Sequence, residues 1–174
     1  MAYGNGYNKP TGNFNGGVNK GRDTRGGYDR KPVDDFKPTF PVGYLAHAYL
    51  DENGKRDRRY VLSFAEHIGK ALSNDQSTGK SKIRSYFDAA LSIKEAVFNK
   101  HITEDEAMVR LGTLKSRVVD RAAKGNASKY FVDFIGKNID VIVSDEDKFK
   151  ERLRHFCEHF EAVVCYTAEK KSRG

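Results

Sequence analysis

Residues 144–170 read SDEDKFKERLRHFCEHFEAVVCYTAEK. Phe149, Leu153, Phe156, Phe160, Val163 and Val164 recur three and four apart, so they share one stripe of an α-helix. Ser144 with Asp145, Glu146 and Asp147 reads as the start of that helix. A short hydroxyl can cap its free N–H groups, and acidic side chains suit the positive end of its dipole. Continued to Lys171, the pattern predicts roughly seven turns. Such a phenylalanine-rich face needs apolar partners, and the preceding sequence supplies them with the same period.

Working back along the chain, Ser128 can cap a helix carrying Phe131, Phe134, Ile135, Ile139 and Ile142. Before it, Thr103 and Glu106 make a capping box, with Glu104 and Asp105 adding favourable charge in the first turn. Met108, Leu111, Leu114, Val118, Val119 and Ala122 follow as the apolar face, and Gly125-Asn126 ends that helix. An earlier helix begins near Ser77, Thr78 or Ser81 and runs to about Asn99, with Ile83, Phe87, Ala90, Leu91, Lys94 and Phe98 on its stripe. The first runs from about Tyr60 to Leu72, with Val61, Phe64, Ala65, Ile68, Ala71 and Leu72 on one face. No stretch of this region sustains strand alternation, and the intervening loops are short, which favours antiparallel neighbours. The expected fold is all-α, a compact five-helix bundle over residues 60–174.

Residues 1–59 have a different character. The first thirty hold eight glycines and five asparagines, with Tyr3, Tyr7, Phe14 and Tyr28 among Arg22, Arg25 and Arg30. Such a segment cannot bury enough apolar area to offset its backbone entropy, so the sequence predicts a disordered, basic, Gly/Asn-rich tail. Phe40 to Leu50 (FPVGYLAHAYL) is apolar enough to dock on the domain as an arm, and Asp51-Glu52-Asn53-Gly54 is a turn signal.

The formal charge is +7, which permits a polyanionic partner. It is unevenly distributed. Residues 77–124 carry 10 basic and 6 acidic side chains, residues 128–161 carry 6 and 8. Lys80, Lys82 and Arg84 occupy the first turns of the second helix, where the dipole disfavours cations and free N–H groups invite an anion. Arg110, Lys115, Arg117, Arg121 and Lys124 lie largely off the apolar face of the third. A shared polar side would make one basic face, the footprint of a phosphate-backbone binder or of a subunit that stacks complementary faces.

Catalytic and metal chemistry find little purchase. His155 and His159 in HFCEH are four apart, as two zinc-ligating imidazoles can be, but Cys157, two residues from each, projects to the far side of the helix, about 160° away. They read as structural histidines, with no metal and no cofactor. Thr78-Gly79-Lys80-Ser81 lacks the first glycine and the preceding strand of a phosphate-binding loop. Cys157 and Cys165 are about 12 Å apart along one helix, too far for a disulfide. They read as reduced core residues of a cytoplasmic protein. No apolar leader and no run of about 18 apolar residues is present, so neither export nor membrane spanning is predicted.

The five segments in order resemble a known family. YVLSFAEHIGKAL, STGKSKIRSYFDAALSIK with its Ser81-Lys82-Ile83-Arg84, LGTLKSRVVDRAAKG, FVDFIGKNID and FKERLRHFCEHFEAVVCYTAEK are similar to the small subunit of the type III-A CRISPR effector complex. The likeness covers roughly residues 60–170; the long Gly/Asn-rich leader and Gly79-Lys80 depart from the family pattern. The resemblance implies a five-helix bundle without catalysis of its own, acting in antiviral defence. Its partners would be guide RNA, single-stranded target RNA, other subunits of the complex and further copies of itself. Lys82, Arg84, Lys115, Arg117, Arg121 and Lys124 would carry RNA contact by position, beside Lys80 at the same helix start. Such groups would hold phosphates without reading bases. The alternative is a helical protein–protein adaptor whose basic face meets an acidic protein and no RNA.

Overall fold

Thr78 has no exposed surface and organises one end of the molecule. Its hydroxyl donates to the Asp75 carboxylate and accepts from the Ser128 backbone N–H at 2.9 Å. The Ser128 hydroxyl in turn caps the following helix by accepting from Phe131 N at 3.1 Å. One threonine thereby ties the turn after the first helix to the start of the fourth.

The computed structural model describes residues 38–168. Of the tail expected over residues 1–59, residues 1–37 lie outside those described, as does the end of a final helix reaching Lys171, while residues 38–59 are ordered against the bundle. Five α-helices make the fold: α1 (Ser63–Asn74), α2 (Lys80–Phe98), α3 (Glu104–Ala123), α4 (Lys129–Val143) and α5 (Phe149–Ala168). Short 3-10 turns precede α1 at Arg58–Tyr60 and α5 at Glu146–Lys148. Helix α5 packs against α1, α2 and α4, while α3 closes the ring between α2 and α4. Phe149, Leu153, Phe156, Phe160 and Val163 have no exposed surface, so the stripe that predicts the final helix is the axis of the core.

α1 and α5 approach closely at Gly69. A Cβ there would lie 2.5 Å from Tyr166 Cβ and 2.8 Å from the Val163 carbonyl oxygen. Only the missing side chain lets these helices come together.

Residues 38–57 form an arm of turns laid on the bundle. Tyr49 is 1% exposed, and its hydroxyl donates to Asn138 Oδ1 at 2.7 Å. Asn138 Nδ2 donates to the Tyr44 hydroxyl at 2.8 Å and to the Phe134 carbonyl at 2.7 Å. Tyr44 donates in turn to His159 Nε2 at 2.9 Å, so His159 carries its proton on Nδ1, against the Tyr60 carbonyl. Every polar atom of Asn138 and His159, both wholly buried, is therefore matched. Phe40 stacks on Tyr130 at 4.6 Å and on Tyr44 at 5.1 Å. Leu45, Ala48 and Tyr49 have φ of 63°, 48° and 73°. A non-glycine residue there costs on the order of 1 kcal/mol or more, so the side-chain contacts hold the arm in a conformation its backbone disfavours.

Thr103 and Ser128 cap α3 and α4 as their sequences predict. Three other expectations are corrected. α2 has no side-chain cap: Thr78 is engaged with Asp75 and Ser128, and Gly79 takes the cap position at φ 65°, where glycine is favoured. Ser144 does not open α5. Its hydroxyl donates back to the Val141 carbonyl at 3.0 Å, and α5 begins after the 3-10 turn. Arg152 of α5 reaches back to the Val141 carbonyl, Ser144 and Asp145, while Glu146 and Asp147 stand in the 3-10 turn that leads into α5.

The apolar stripes are also corrected in phase. Val97 is buried on α2 and Phe98 is 45% exposed; on α3 Val119 is 51% exposed. Adjacent residues differ by about 100° around a helix, and here the neighbouring helices cover Val97 and Val118 and leave Phe98 and Val119 outside. Cys165 is exposed, while Cys157 is buried and donates to the Ala90 carbonyl.

Candidate nucleic-acid interface

α2 and α3 pack side by side, which brings the two basic segments together. The structure then sorts their cations by what each already holds. Lys82 is half-buried, and its ammonium donates to the Asn126 carbonyl at 3.0 Å, with Asn126 Oδ1 at 3.4 Å. That contact joins the start of α2 to the loop between α3 and α4. Arg84 pairs with Asp88 one turn on at 3.1 Å and lies over the Phe87 ring. Lys124 pairs with Asp120 at 2.7 Å, again one turn apart. Lys115 turns toward α4, where it pairs with Asp140 and its stem crosses Gly136.

Lys80, Arg117 and Arg121 remain. All three are exposed, and none has a carboxylate partner among the described residues. Lys80 stands at the uncapped start of α2. Arg117 and Arg121 are one turn apart on α3, on one face. Both act electrostatically on Tyr86 of α2, with Arg121 beside its hydroxyl. Burial raises the Tyr86 phenol above its ordinary value, and the Arg121 and Arg117 guanidiniums pull in the opposite direction. Exposed ion pairs contribute little stability, so Arg84 and Lys124 can still be recruited, at the cost of leaving a carboxylate close to any anion.

Tyr86 is the residue that the sequence does not reveal. It is 6% exposed, and its ring meets Phe131 edge-on at 5.3 Å. By pattern it is a core aromatic. Its hydroxyl nevertheless has no well-formed hydrogen bond among the described residues, although Arg121 lies beside it. Only the packing of α3 against α2 discloses that this buried O–H lies beside Arg121 and within the field of Arg117.

The HFCEH segment does not assemble a metal centre. His159 is locked between Tyr44 and Tyr60, and burial lowers its pKa to about 4. Cys157 faces α2, and burial pushes its thiol up to about 12. Among the described residues no group of three His, Cys, Asp or Glu side chains is placed to hold a metal ion. Among those residues no helix is long and apolar enough to cross a membrane.

The family model described as Csm2 Type III-A matches residues 55–172. No curated protein and no solved structure matches the chain. The matched region takes in all five helices together with the turn that leads into α1.

Proposed function

The chain belongs to the Csm2 type III-A family, the small subunits of the type III-A CRISPR effector complex, and we propose that within that complex it grips guide and target RNA through phosphates alone. Membership makes it a non-catalytic subunit of a multi-subunit assembly. Its role is then to hold the RNA, in antiviral defence, while neighbouring subunits and further copies of itself continue the same groove.

The observation that carries this reading is the trio of unpaired cations on α2 and α3. Lys80, Arg117 and Arg121 present charge that no carboxylate among the described residues neutralises, on two helices that pack against each other. Phosphate is the acceptor that repeats along any RNA strand, so contacts of this kind are blind to sequence. Lys82 and Lys115 contribute differently, by holding the α2 start and α4 in place relative to α3.

Fluorescence anisotropy of the purified protein with unrelated single-stranded RNAs across a salt series tests the proposal. Affinities are expected to agree between sequences and to fall steeply with salt. Each neutralisation among Lys80→Gln, Arg117→Gln and Arg121→Gln lowers the slope of log K against log salt by roughly 0.7. Arg84→Gln and Lys124→Gln, which release Asp88 and Asp120, have smaller effects. Sequence-selective binding insensitive to salt would overturn the reading, and a pull-down of an acidic protein that survives RNase treatment would favour the adaptor alternative.

A further inference from the structure

Building on the RNA reading, we infer that the Tyr86 hydroxyl, Arg117 and Arg121 together form a discrete seat for one phosphodiester group. The seat is more than a stretch of positive surface. Its floor is a neutral donor set into the core, with Arg121 beside it and the charge of Arg117 one turn away on the neighbouring helix.

Hydrogen-bond chemistry points to an anion at this place. The Tyr86 O–H is buried and lacks an acceptor among the described residues. Guanidinium groups only donate, so neither Arg117 nor Arg121 can accept from it. An anionic oxygen that reached this place would accept from the hydroxyl and from Arg121, with the Arg117 charge in support. A buried hydroxyl without an acceptor is costly, and an anion relieves that cost while meeting two charges. The one acid beside the group, Asp120, is already held by Lys124 at 2.7 Å.

The rest of the ring explains why the donor stays put. Tyr86 packs edge-on against Phe131, which is wholly buried and whose backbone N–H is capped by Ser128. The phenol therefore cannot swing out to find water. An acceptor has to come to it, past the Arg121 side chain, which is exposed and has room to move.

Tyr86→Phe keeps the ring and removes only the hydroxyl. Its affinity for a labelled single-stranded RNA, measured by anisotropy on the full chain, is expected to fall about tenfold. The slope of log K against log salt stays unchanged, because no charge is removed. The melting temperature without RNA is expected to hold or rise, since an unmatched polar atom has left the interior. Arg117→Gln and Arg121→Gln lower the slope as well as the affinity, which separates charge from the hydroxyl. Wild-type affinity in Tyr86→Phe overturns the seat and leaves the RNA reading standing. A lowered melting temperature with Tyr86→Phe also overturns it, by showing that Asp120 or another protein group accepts the hydrogen bond. If the wild-type chain itself binds no RNA, the RNA reading fails, and the seat with it.

Discussion

His159 joins three parts of the molecule through one ring. Its Nε2 accepts from Tyr44 of the arm, and its Nδ1 meets the Tyr60 carbonyl just before α1. The ring has no exposed surface, and burial lowers its pKa from 6.5 to about 4 despite the opposing pull of that carbonyl. In the unfolded chain the imidazole takes up its proton near 6.5, and in the fold only near 4. Between those values the unfolded state binds more protons, so stability is complete above about pH 6.5 and is lost as the pH falls toward 4. The loss amounts to roughly 3 kcal/mol at its fullest. Urea unfolding at a series of pH values from 7.5 to 4 is expected to show it, and His159→Gln should flatten much of that dependence. A wild-type stability independent of pH across the window would sink the assignment.

At the scale of elements, α1 and α5 meet through Gly69 and not through interdigitated large side chains. Gly69→Ala brings a methyl group against the Tyr166 stem and the Val163 carbonyl, both fixed by α5. The helix propensity of alanine favours the change by about 1 kcal/mol. Overpacking opposes it by about 3 kcal/mol, and overpacking wins. Gly112 on α3 is the control: it is exposed, and a Cβ there meets nothing within 4 Å. Gly112→Ala is expected to raise the melting temperature while Gly69→Ala lowers it. Equal shifts in the two variants would mean that Gly69 does not set the α1–α5 approach.

For the whole molecule, the arm closes the core as much as any helix does. Tyr49 is among the most buried side chains, and Tyr44 and Tyr49 match both polar ends of the Asn138 amide. A chain shortened to residues 60–174 would leave the Asn138 amide and His159 Nε2 without these partners and would uncover aromatic surface on Tyr60 and Phe64. Each unmatched buried group costs about 1–3 kcal/mol. The shortened chain is expected to melt well below one that starts at residue 38 and to bind a hydrophobic dye. Identical melting of the two fragments would show the arm to be an ornament. Charge is likewise settled at this scale. Of the seven cations that sequence and resemblance single out, packing leaves three without a carboxylate partner among the described residues and commits the others to Asn126, Asp88, Asp140 and Asp120.

The helices themselves were legible, because a stripe such as Phe149 to Val164 and caps such as Thr103 and Ser128 act over one or two turns of chain. The all-α class, the order of five helices and the two basic segments followed from those local signals. The α5 start was misread for the same reason. Ser144 with three acidic neighbours is a good cap by itself, but in the fold Ser144 closes α4 and is held by Arg152, and the acidic residues lead into α5 through a 3-10 turn. Phe98 and Val97 carry equal apolar weight until a neighbouring helix chooses the phase. The Asn138–Tyr44–His159 network, the choice of free cations and the orphan hydroxyl of Tyr86 depend on residues up to 115 positions apart. Sequence determined which segments are helical because hydrogen bonding and side-chain period are local. Tertiary structure alone decided which polar groups are satisfied, because that depends on what another element brings to the same point.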